Sequence, residues 1–435
     1  MVSGIERADG FLKELGISAD SFSTQHYCEL FLDEMQKGLE GKKSSLQMIP
    51  TYISTDKELL YDSPVIVIDA GGTNLRTAVV QFGKSGDARI SQFSKQDMPG
   101  VKKEVTARQF FSSIADAVEP VFNASDKMGF CFSYAADITE DRDGRLIVFS
   151  KEIKAPEVIG KLVGKELLQE LAQRGFYHQK RLTLLNDTVA TLLAGKVNQS
   201  GKQYSGYVGF ILGTGTNTSY VEQAGSITKL VNPSSDRHQI INIESGNFAV
   251  PASLTDQEFY ETTKVPSLYH FEKLISGAYI GQYGLFIIKK ATAEKMLSPA
   301  FGDAFRKFSG AFDTITMDTF LHQPHEMEHL IASCCSTDDD ALFVYRLLDG
   351  VIERAAKLTA VNLSATVLKS GEGSDPRRPV CINADGTTYY KTHNLKRYTE
   401  WYLHEFLGKE LRKYYEFVEI DNSPILGAAV AGLIG

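Results

Sequence analysis

Two short turns rich in Gly, Thr and Asn carry the clearest chemistry in this sequence. They are Asp69–Asn74, with the sequence DAGGTN, and Gly213–Asn217, with the sequence GTGTN. Glycine lets the backbone adopt conformations that a side chain would block, and successive backbone N–H groups can then form a hollow that binds an anion. A single Gly-Gly turn between strands is usually only a hairpin. Two such turns facing each other would hold a polyphosphate from both sides.

Two aspartates lie where catalysis would need them. Asp69 begins the first turn, where it could stabilise the turn by bonding to nearby backbone or could contact Mg²⁺ through water. Asp187 follows an apolar run in LLNDTVATL, and a carboxylate at such a helix start is most often a cap. It could instead be the general base that removes a proton from a hydroxyl as that hydroxyl attacks a phosphate.

The elements around each turn are predicted to be strands. Val65–Phe82 and Gly206–Glu222 both begin with an apolar run, reach the turn, and resume with strand-forming residues. Helical patterns follow the first segment, and the second segment then repeats its arrangement. This weak internal repetition predicts a duplicated α/β unit, with two domains and a cleft between them.

Apolar residues at helical spacing predict helices in the rest of the chain. The longer predicted helices are Thr106–Val121, Pro156–Arg174, His270–Lys290, Lys295–Phe308 and Ala341–Leu368. The segment Ala136–Arg145 is predicted to be an acidic loop. Beyond residue 223 the pattern becomes more helical than in the first half.

Size and composition exclude several classes of protein. A chain of 435 residues is long enough for two or three domains. The net charge of -8 argues against nucleic acid or an anionic membrane as the main partner. The five cysteines show no zinc-binding spacing and suggest free thiols in a reducing compartment. We see neither a secretory signal nor an apolar run of the ~20 residues that span a bilayer, and we therefore expect a cytoplasmic protein.

The motifs, taken in order along the chain, resemble the hexokinase family within the sugar kinase, actin and heat-shock ATPase superfamily. The two turns are similar to the two phosphate segments of that family. The resemblance implies an α/β protein with the two-domain actin-like ATPase (ribonuclease-H-like) fold of hexokinase type and an inter-domain cleft. The small domain would comprise 64–190 plus 421–435, and the large domain 1–63 plus 191–420.

The resemblance also implies a role for individual residues, with Asp187 as the general base and ATP and Mg²⁺ as cofactors. The implied sugar-binding residues are Ser133, Ser150, Lys151, Asn186, Asp187, Asn217, Glu244 and Glu272. The implied nucleotide-binding residues are Asp69, Gly71, Gly72, Thr73, Asn74, Arg76, Thr214, Gly215, Thr216, Gly386, Thr387 and Ser423. Asp69 would bind Mg²⁺ through water.

The predicted function is ATP-dependent phosphorylation of a hexose at its 6-hydroxyl, with glucose as the first candidate. The sequence departs from the family pattern around the sugar: Tyr134-Ala135 follow Ser133, and Ser245 replaces a tryptophan. Mannose, fructose or an N-acetylhexosamine therefore remain alternative substrates, and a non-catalytic sugar-sensing protein remains a further alternative. The expected partners are the hexose and ATP, without nucleic acid or membrane, in a monomer or homodimer.

Overall fold

The strands and helices form where the sequence carries its apolar runs. The computed structural model describes residues 3–149, 153–197, 202–230, 237–307, 310–326 and 330–434. Its strands are β1 (Ile49–Pro50), β2 (Val65–Gly71), β3 (Asn74–Phe82), β4 (Ala88–Asp97), β5 (Lys127–Phe132), β6 (Ala135–Ile138), β7 (Gly144–Val148), β8 (Arg181–Leu185), β9 (Gly206–Leu212), β10 (Thr216–Gln223), β11 (His238–Asn242), β12 (Val380–Asp385) and β13 (Tyr415–Val418). Its α-helices are α1 (Gly4–Glu14), α2 (Thr24–Leu39), α3 (Ala107–Val118), α4 (Val163–Gln173), α5 (Asp187–Lys196), α6 (Leu254–Glu261), α7 (His270–Ile275), α8 (Ile280–Ala293), α9 (Pro299–Phe305), α10 (Thr314–His322), α11 (Asp338–Ser370), α12 (Thr387–Lys391), α13 (Leu395–Leu403) and α14 (Ser423–Ile434).

The first turn lies in a five-stranded sheet with the order β4-β3-β2-β5-β8. β2, β3 and β4 form an antiparallel meander, and β5 and β8 extend the sheet parallel to β2. Alternate side chains of β2 point to opposite faces. Ile66 and Ile68 join the cluster formed with α3 and α4, whereas Val65 and Val67 join the cluster formed with α5 and α14. Helices on both faces explain why the whole apolar run of β2 is buried.

The second turn lies in a six-stranded sheet with the order β1-β11-β10-β9-β12-β13. Again two antiparallel strands, β9 and β10, flank the turn, and a parallel strand, β12, lies beside the first of them. Both sheets therefore place their turn at the end of an antiparallel pair next to a parallel strand. The repeated α/β unit that the sequence predicts is present in the structure.

Helices α5 and α14 connect the two sheets. α5 packs on β9, β10 and β12 of the six-stranded sheet, while α14 packs on β2, β5 and β8 of the five-stranded sheet. The two helices are also in close contact at Gly427. A Cβ atom there would collide with the backbone of Ala190, so the close approach depends on glycine. The catalytic candidate Asp187 begins α5, so the element that carries it lies where the sheets meet.

The structure divides two of the helices predicted from spacing. In the predicted helix over His270–Lys290, α7 ends and α8 begins after a break at residues 276–279. The break occurs because the N–H groups of Gly277 and Ala278 donate to Gly213 O and Thr214 O, at 2.9 and 3.1 Å, instead of to the preceding helical turn. The predicted helix over Pro156–Arg174 likewise begins as a 3-10 turn, Pro156–Val158, before α4. Of the helix predicted over Lys295–Phe308, the part that the structure describes, up to residue 307, is helical only in α9, and Phe308 lies outside the described residues.

Several strands were not predicted. The supposed acidic loop Ala136–Arg145 is largely the hairpin of β6 and β7, in which Ala136 pairs with Leu146 and both are buried. The acidic Asp143 is also buried. Its carboxylate is satisfied there by the N–H groups of Gly164 and Lys165 at the start of α4. β11 lies in the stretch predicted to be more helical, and it pairs with β10 and β1.

The large core is centred on α11, whose side chains are buried along most of its 33 residues. Helices α1, α2, α8 and α13 pack around it. Within the described parts of the chain, no helix combines the length and the apolarity needed to cross a membrane. The division into 64–190 plus 421–435 and 1–63 plus 191–420 stays a prediction, although the two sheets follow it.

Candidate active site

The first turn brings four of the predicted site residues together. Asp69, at the end of β2, is only 3% exposed and accepts a hydrogen bond from Arg76 Nη1 at 3.2 Å. A Cβ atom at Gly71 would lie 3.5 Å from Asp69 Oδ1 and 3.6 Å from Ser133 Oγ. Ser133 also donates its backbone N–H to Ala70 O at 3.1 Å. A predicted sugar residue and a predicted metal residue therefore flank the same glycine.

The tip of this turn is the two-residue connection Gly72-Thr73. Gly72 has a φ of 45°, at the first central position, where tight hairpin turns favour glycine. Thr73 O accepts the N–H of Met98 at 2.9 Å, and Asn74 Nδ2 donates to Thr73 Oγ1 at 3.0 Å. The turn is therefore held by the residues around it.

The second turn is braced by three other segments. Its Gly213 O accepts hydrogen bonds from Gly277 N at 2.9 Å and from the Thr388 hydroxyl at 2.8 Å. Thr216 N donates to Glu272 Oε2 at 2.9 Å. A Cβ atom at Gly215 would lie 2.6 Å from that same oxygen, so glycine is needed there for Glu272 to approach. A predicted sugar residue thus contacts a predicted phosphate turn directly.

Asn186 and Asp187 lie at the N-terminus of α5. The Oδ1 atoms of both side chains accept the N–H of Thr188, each at 2.9 Å. The cap and the catalytic candidate are therefore neighbours in one local structure. Helix N-termini favour negative charge, and both side chains are half-buried. The capping role considered for Asp187 is fulfilled mainly by Asn186, which is the N-cap residue.

Asn217 is the centre of the predicted sugar residues. Its Nδ2 donates to Asn242 Oδ1 at 2.8 Å and to Glu244 Oε1 at 3.1 Å, and it lies 3.4 Å from Asn186 Oδ1. Asn242 Nδ2 in turn donates to Glu244 Oε1 at 2.9 Å. Sequence reasoning missed Asn242, and its position two residues before Glu244 at the end of an apolar strand was the available signal.

Asp69 and Asp187 lie at the same edge of the five-stranded sheet. Asp69 on β2 pairs with Cys131 on β5, and Cys131 pairs with Leu185, two residues before Asp187. We call the region around these two acids the crevice. Burial raises the pKa of Tyr134, and the charges of Asp187 and Asp69 raise it further. Both aspartates have the same effect on the pKa of the buried Cys131 thiol, after burial itself.

The charge of Asp187 affects the pKa values of two further acids. Burial raises the pKa of Glu244, the hydrogen bonds from Asn242 and Asn217 lower it, and Asp187 raises it. Burial also raises the pKa of Asp385, the backbone N–H of Gly386 opposes this, and Asp187 adds to it. Asp385 ends β12 in the six-stranded sheet and was not among the predicted site residues. Asp385 is therefore an acid near Asp187 that the predicted site residues did not include.

A cavity of about 470 Å³ continues from the second turn. Its lining includes the predicted residues Thr214 and Thr387, together with Ile315, Asp318 and Lys391. Gly386 adjoins the turn, because a Cβ atom there would collide with Leu212 O.

The hydrogen bonds that the structure describes for Ser423 do not involve the predicted sugar or phosphate residues. Ser423 is buried, donates its hydroxyl to Ile420 O at 2.7 Å and accepts Asn383 Nδ2 at 3.1 Å. Its role in nucleotide binding stays a prediction. Ser150 and Lys151 lie outside the described residues.

Two α/β sheets, each with a glycine turn, and several acids near one another are an arrangement expected of a phosphotransferase, in which a phosphate donor and a polar acceptor meet. Comparison with known proteins narrows this class. Two family models, both described as hexokinase, match residues 7–197 and 207–434. The chain belongs to the hexokinase family.

Individual relatives agree with this assignment. The chain is 25% identical over 425 residues to hexokinase-1 of Schizosaccharomyces pombe, covering 93% of this chain and 86% of that protein. It is 28% identical over 429 residues to hexokinase-7 of Oryza sativa subsp. japonica, covering 91% and 90%. The hexokinase of Schistosoma mansoni complexed with glucose superposes with a TM-score of 0.77 at 22% identity, covering 99% of this chain and 100% of that one.

These findings confirm the predicted family, the α/β fold of hexokinase type and the enzyme class. The protein is a hexokinase-type phosphotransferase. The family phosphorylates sugars with ATP. The roles of the individual site residues stay predictions.

Proposed function

We propose that this protein transfers the γ-phosphoryl group of ATP to the 6-hydroxyl of a hexose, with glucose as the first candidate and Asp187 as the general base. The observation that carries the proposal is the position of Asp69 and Asp187 at one edge of the five-stranded sheet, because Asp69 pairs with Cys131 and Cys131 with Leu185. The charges of both aspartates also act on Cys131 and Tyr134. The Schistosoma mansoni hexokinase, which has a similar fold, is complexed with glucose, and this supports glucose as the candidate.

The sugar would be bound by the polar groups around Asn217. A hexose carries hydroxyls that both donate and accept hydrogen bonds, so its site needs carboxylates and amides in fixed positions. Asn217, Asn242 and Glu244 fix one another through hydrogen bonds of 2.8 to 3.1 Å. Glu272 is fixed by Thr216 N. Rigid groups of this kind bind a polyol without first having to be ordered.

Asp187 would remove the proton of the 6-hydroxyl. Its carboxylate is oriented by the Thr188 N–H at 2.9 Å and lies near Glu244, whose pKa its charge raises. As the proton moves to Asp187, the hydroxyl oxygen forms a bond to the γ-phosphorus of ATP. The bond from that phosphorus to the β–γ bridging oxygen breaks, and ADP leaves with the electron pair. The products are the sugar 6-phosphate, ADP and one proton held on Asp187.

Arg76 and the two turns would hold the phosphates. Arg76 provides a positive charge beside the first turn, and it lowers the pKa of Asp385 from across the crevice. The cavity beside Thr214 and Thr387 would take the nucleoside part of ATP. Phosphoryl transfer depends mainly on positioning and charge neutralisation, and these groups supply both.

The surroundings of Asp69 fit a magnesium ion bound mainly through water. Among the side chains that the structure describes, no group of three His, Cys, Asp or Glu residues could hold a metal ion. Mg²⁺ commonly keeps several waters and uses only one or two carboxylates together with substrate phosphates. We propose that Asp69 holds Mg²⁺ through water, and the bound ion would neutralise charge on the phosphates during transfer.

The residues around the sugar leave a different hexose as the second candidate. Ser245 replaces a bulkier residue of the family, is buried, and contacts the Thr218 hydroxyl at 3.1 Å. Its backbone N–H also donates to Asn217 Oδ1 at 3.3 Å. A change at this position alters the shape of the wall behind Asn217. A panel of glucose, mannose, fructose and N-acetylhexosamines in an ADP-coupled assay separates these candidates.

The proposed setting is the cytoplasm. All five cysteines carry free thiols in the structure, namely Cys28, Cys131, Cys334, Cys335 and Cys381. Unpaired cysteines are typical of proteins in reducing compartments. Fractionation of cells that express the tagged protein would test this setting.

The decisive variant for the proposed function is Asp187→Ala. We expect sugar-dependent ADP release to fall by roughly 10²–10⁴-fold, since that is the usual contribution of a general base. Sugar binding, measured by calorimetry, should survive. The matched control is Asp137→Ala, because Asp137 is exposed on β6, and it should keep native turnover. Normal turnover in Asp187→Ala would remove Asp187 as the base. A native protein that binds sugars without releasing ADP would instead be a sugar sensor.

A further inference from the structure

Tyr134 lies directly after the predicted sugar residue Ser133 and is locked in place by aromatic neighbours. Its side chain is only 2% exposed. The ring makes edge contacts with Phe132 and Phe149, with centroid distances of 4.9 and 5.0 Å. Such aromatic pairs favour this edge-to-face geometry. The ring therefore presents its hydroxyl in a fixed direction.

The Tyr134 hydroxyl reaches the tip of the first phosphate turn. It donates to Gly72 O at 3.0 Å. Burial and the charges of Asp187 and Asp69 raise the pKa of Tyr134, so the phenol keeps its proton and remains a donor. The next carbonyl of the turn, Thr73 O, is held by Met98 N at 2.9 Å. Two successive carbonyls at the tip of this turn are therefore tied to the surrounding protein.

The bond to Gly72 O also fixes the direction of one backbone N–H group. No described peptide bond is cis, and in a planar trans peptide the N–H points opposite to the carbonyl oxygen. Because Gly72 O points toward Tyr134, the N–H of Thr73 points away from it. A glycine at a φ of 45° could rotate with little steric cost, so a hydrogen bond to Gly72 O matters for keeping this peptide in one orientation.

We propose that Tyr134 is a positioning residue whose hydroxyl orients the Gly72-Thr73 peptide for nucleotide phosphate. The same hydroxyl ties that turn to the segment that carries the predicted sugar residue Ser133, which we call the sugar loop. The inference rests on the proposed function, since it deepens the role of the same site. Ser133 and Tyr134 are consecutive, so one short segment bonds to Ala70 O through the serine N–H and to Gly72 O through the tyrosine hydroxyl. Movement of the sugar loop is thereby passed to the phosphate turn.

The test is the variant Tyr134→Phe, which keeps the ring and its aromatic contacts and removes only the hydroxyl. The control is Tyr177→Phe, because Tyr177 is 79% exposed. Three quantities are measured: the Kd of a non-hydrolysable ATP analogue with Mg²⁺, the KM values for ATP and glucose, and hydrogen exchange of residues 71–74 without ligand. Thermal unfolding of both variants checks that the fold is intact.

We expect Tyr134→Phe to bind the analogue about fivefold more weakly, which is the size of effect of one lost hydrogen bond. The KM for ATP should rise while the KM for glucose and the Tm stay native, and exchange in residues 71–74 should become faster. An unchanged Kd for the analogue, with or without faster exchange, would overturn the proposal. A native protein that binds no nucleotide would contradict the proposed function itself, and this is seen before any substitution is made.

Discussion

The charge of acids is balanced differently in two regions of this protein, the large core and the crevice. In the large core, Asp256 of α6 is fully buried and accepts both Nη atoms of Arg354 from α11, at 2.8 and 2.7 Å. The Tyr283 hydroxyl of α8 donates to the same carboxylate at 2.6 Å. Burial alone would raise the pKa of Asp256, but Arg354 and these hydrogen bonds outweigh it, and the pKa is lowered.

The crevice has the opposite balance. Asp187 raises the pKa values of Glu244 and Asp385 in addition to the effect of burial. Arg76 is bonded to Asp69 and lowers the pKa of Asp385 only in part. The acids of the crevice therefore repel one another, whereas the acid of the core is matched by a cation.

This difference separates a structural group from a functional one. A buried carboxylate held by a bidentate arginine has no remaining need for a ligand. A carboxylate whose pKa is raised by burial and by a nearby acid reduces stability when it ionises, and sites of this kind are candidates for binding and catalysis. Sugar hydroxyls and a metal ion would supply further donors and positive charge to the acids of the crevice.

The largest effect on stability is expected from breaking the buried ion pair between Asp256 and Arg354. Arg354→Met leaves the Asp256 charge buried without a partner, and we expect a loss of about 3–5 kcal/mol in the free energy of unfolding. Denaturant unfolding measures this loss, and turnover per folded molecule at low temperature should stay native. Adding Asp256→Leu should restore part of the stability, because it removes the stranded charge.

The control for Arg354→Met is Lys396→Met. Lys396 and Glu400 form a partly exposed pair at 3.8 Å, and such pairs contribute at most about 1 kcal/mol. If Arg354→Met were no more destabilising than this control, the buried pair would not be structural. The contrast between Asp256 in the core and the acids of the crevice would then not hold.

A smaller effect is expected from Asn217→Ala in the crevice. The change removes the donor that Asn242 and Glu244 share, and an unsatisfied buried group costs about 2 kcal/mol. Glucose binding, measured by calorimetry, should weaken roughly thirtyfold. The exposed Asn123 provides the control Asn123→Ala. If glucose affinity does not change, Asn217 serves only to brace β10.

The smallest effect is a change in how stability depends on pH. Glu244 has a raised pKa in the folded protein, so its ionisation destabilises the fold as the pH rises above its ordinary value of 4.5. Glu244→Gln keeps the acceptor oxygen and removes the charge. The variant should be more stable than the native protein near pH 8, and the difference should vanish as the pH falls below 4.5.

The control for Glu244→Gln is Glu104→Gln, because Glu104 is exposed. Its Tm difference from the native protein should not vary with pH. The direction in which stability changes with pH distinguishes Glu244 from Asp256. The lowered pKa of Asp256 contributes stability that is present above pH 3.8 and lost at lower pH. A Glu244→Gln variant that is less stable than the native protein near pH 8 would mean that its charge is already neutralised.

The local sequence determined the parts of this protein that local forces can build. The apolar runs of β2 and β9, the glycines that follow them and a cap at the start of α5 were predicted, because strand preference, glycine freedom and capping act over a few residues. The cap was considered for Asp187, and the structure places it at the preceding residue, Asn186. Motif order along the chain was enough to predict the family and the fold class, and both are confirmed.

Only the tertiary structure decided which distant groups meet. Gly277 and Ala278 end a helix because their N–H groups find acceptors in the second turn, and Glu272 is fixed by Thr216 N, 56 residues earlier in the chain. The buried position of Ser423 was equally invisible to the sequence. Buried polar groups must find partners wherever the fold places them, and that requirement has no local signature.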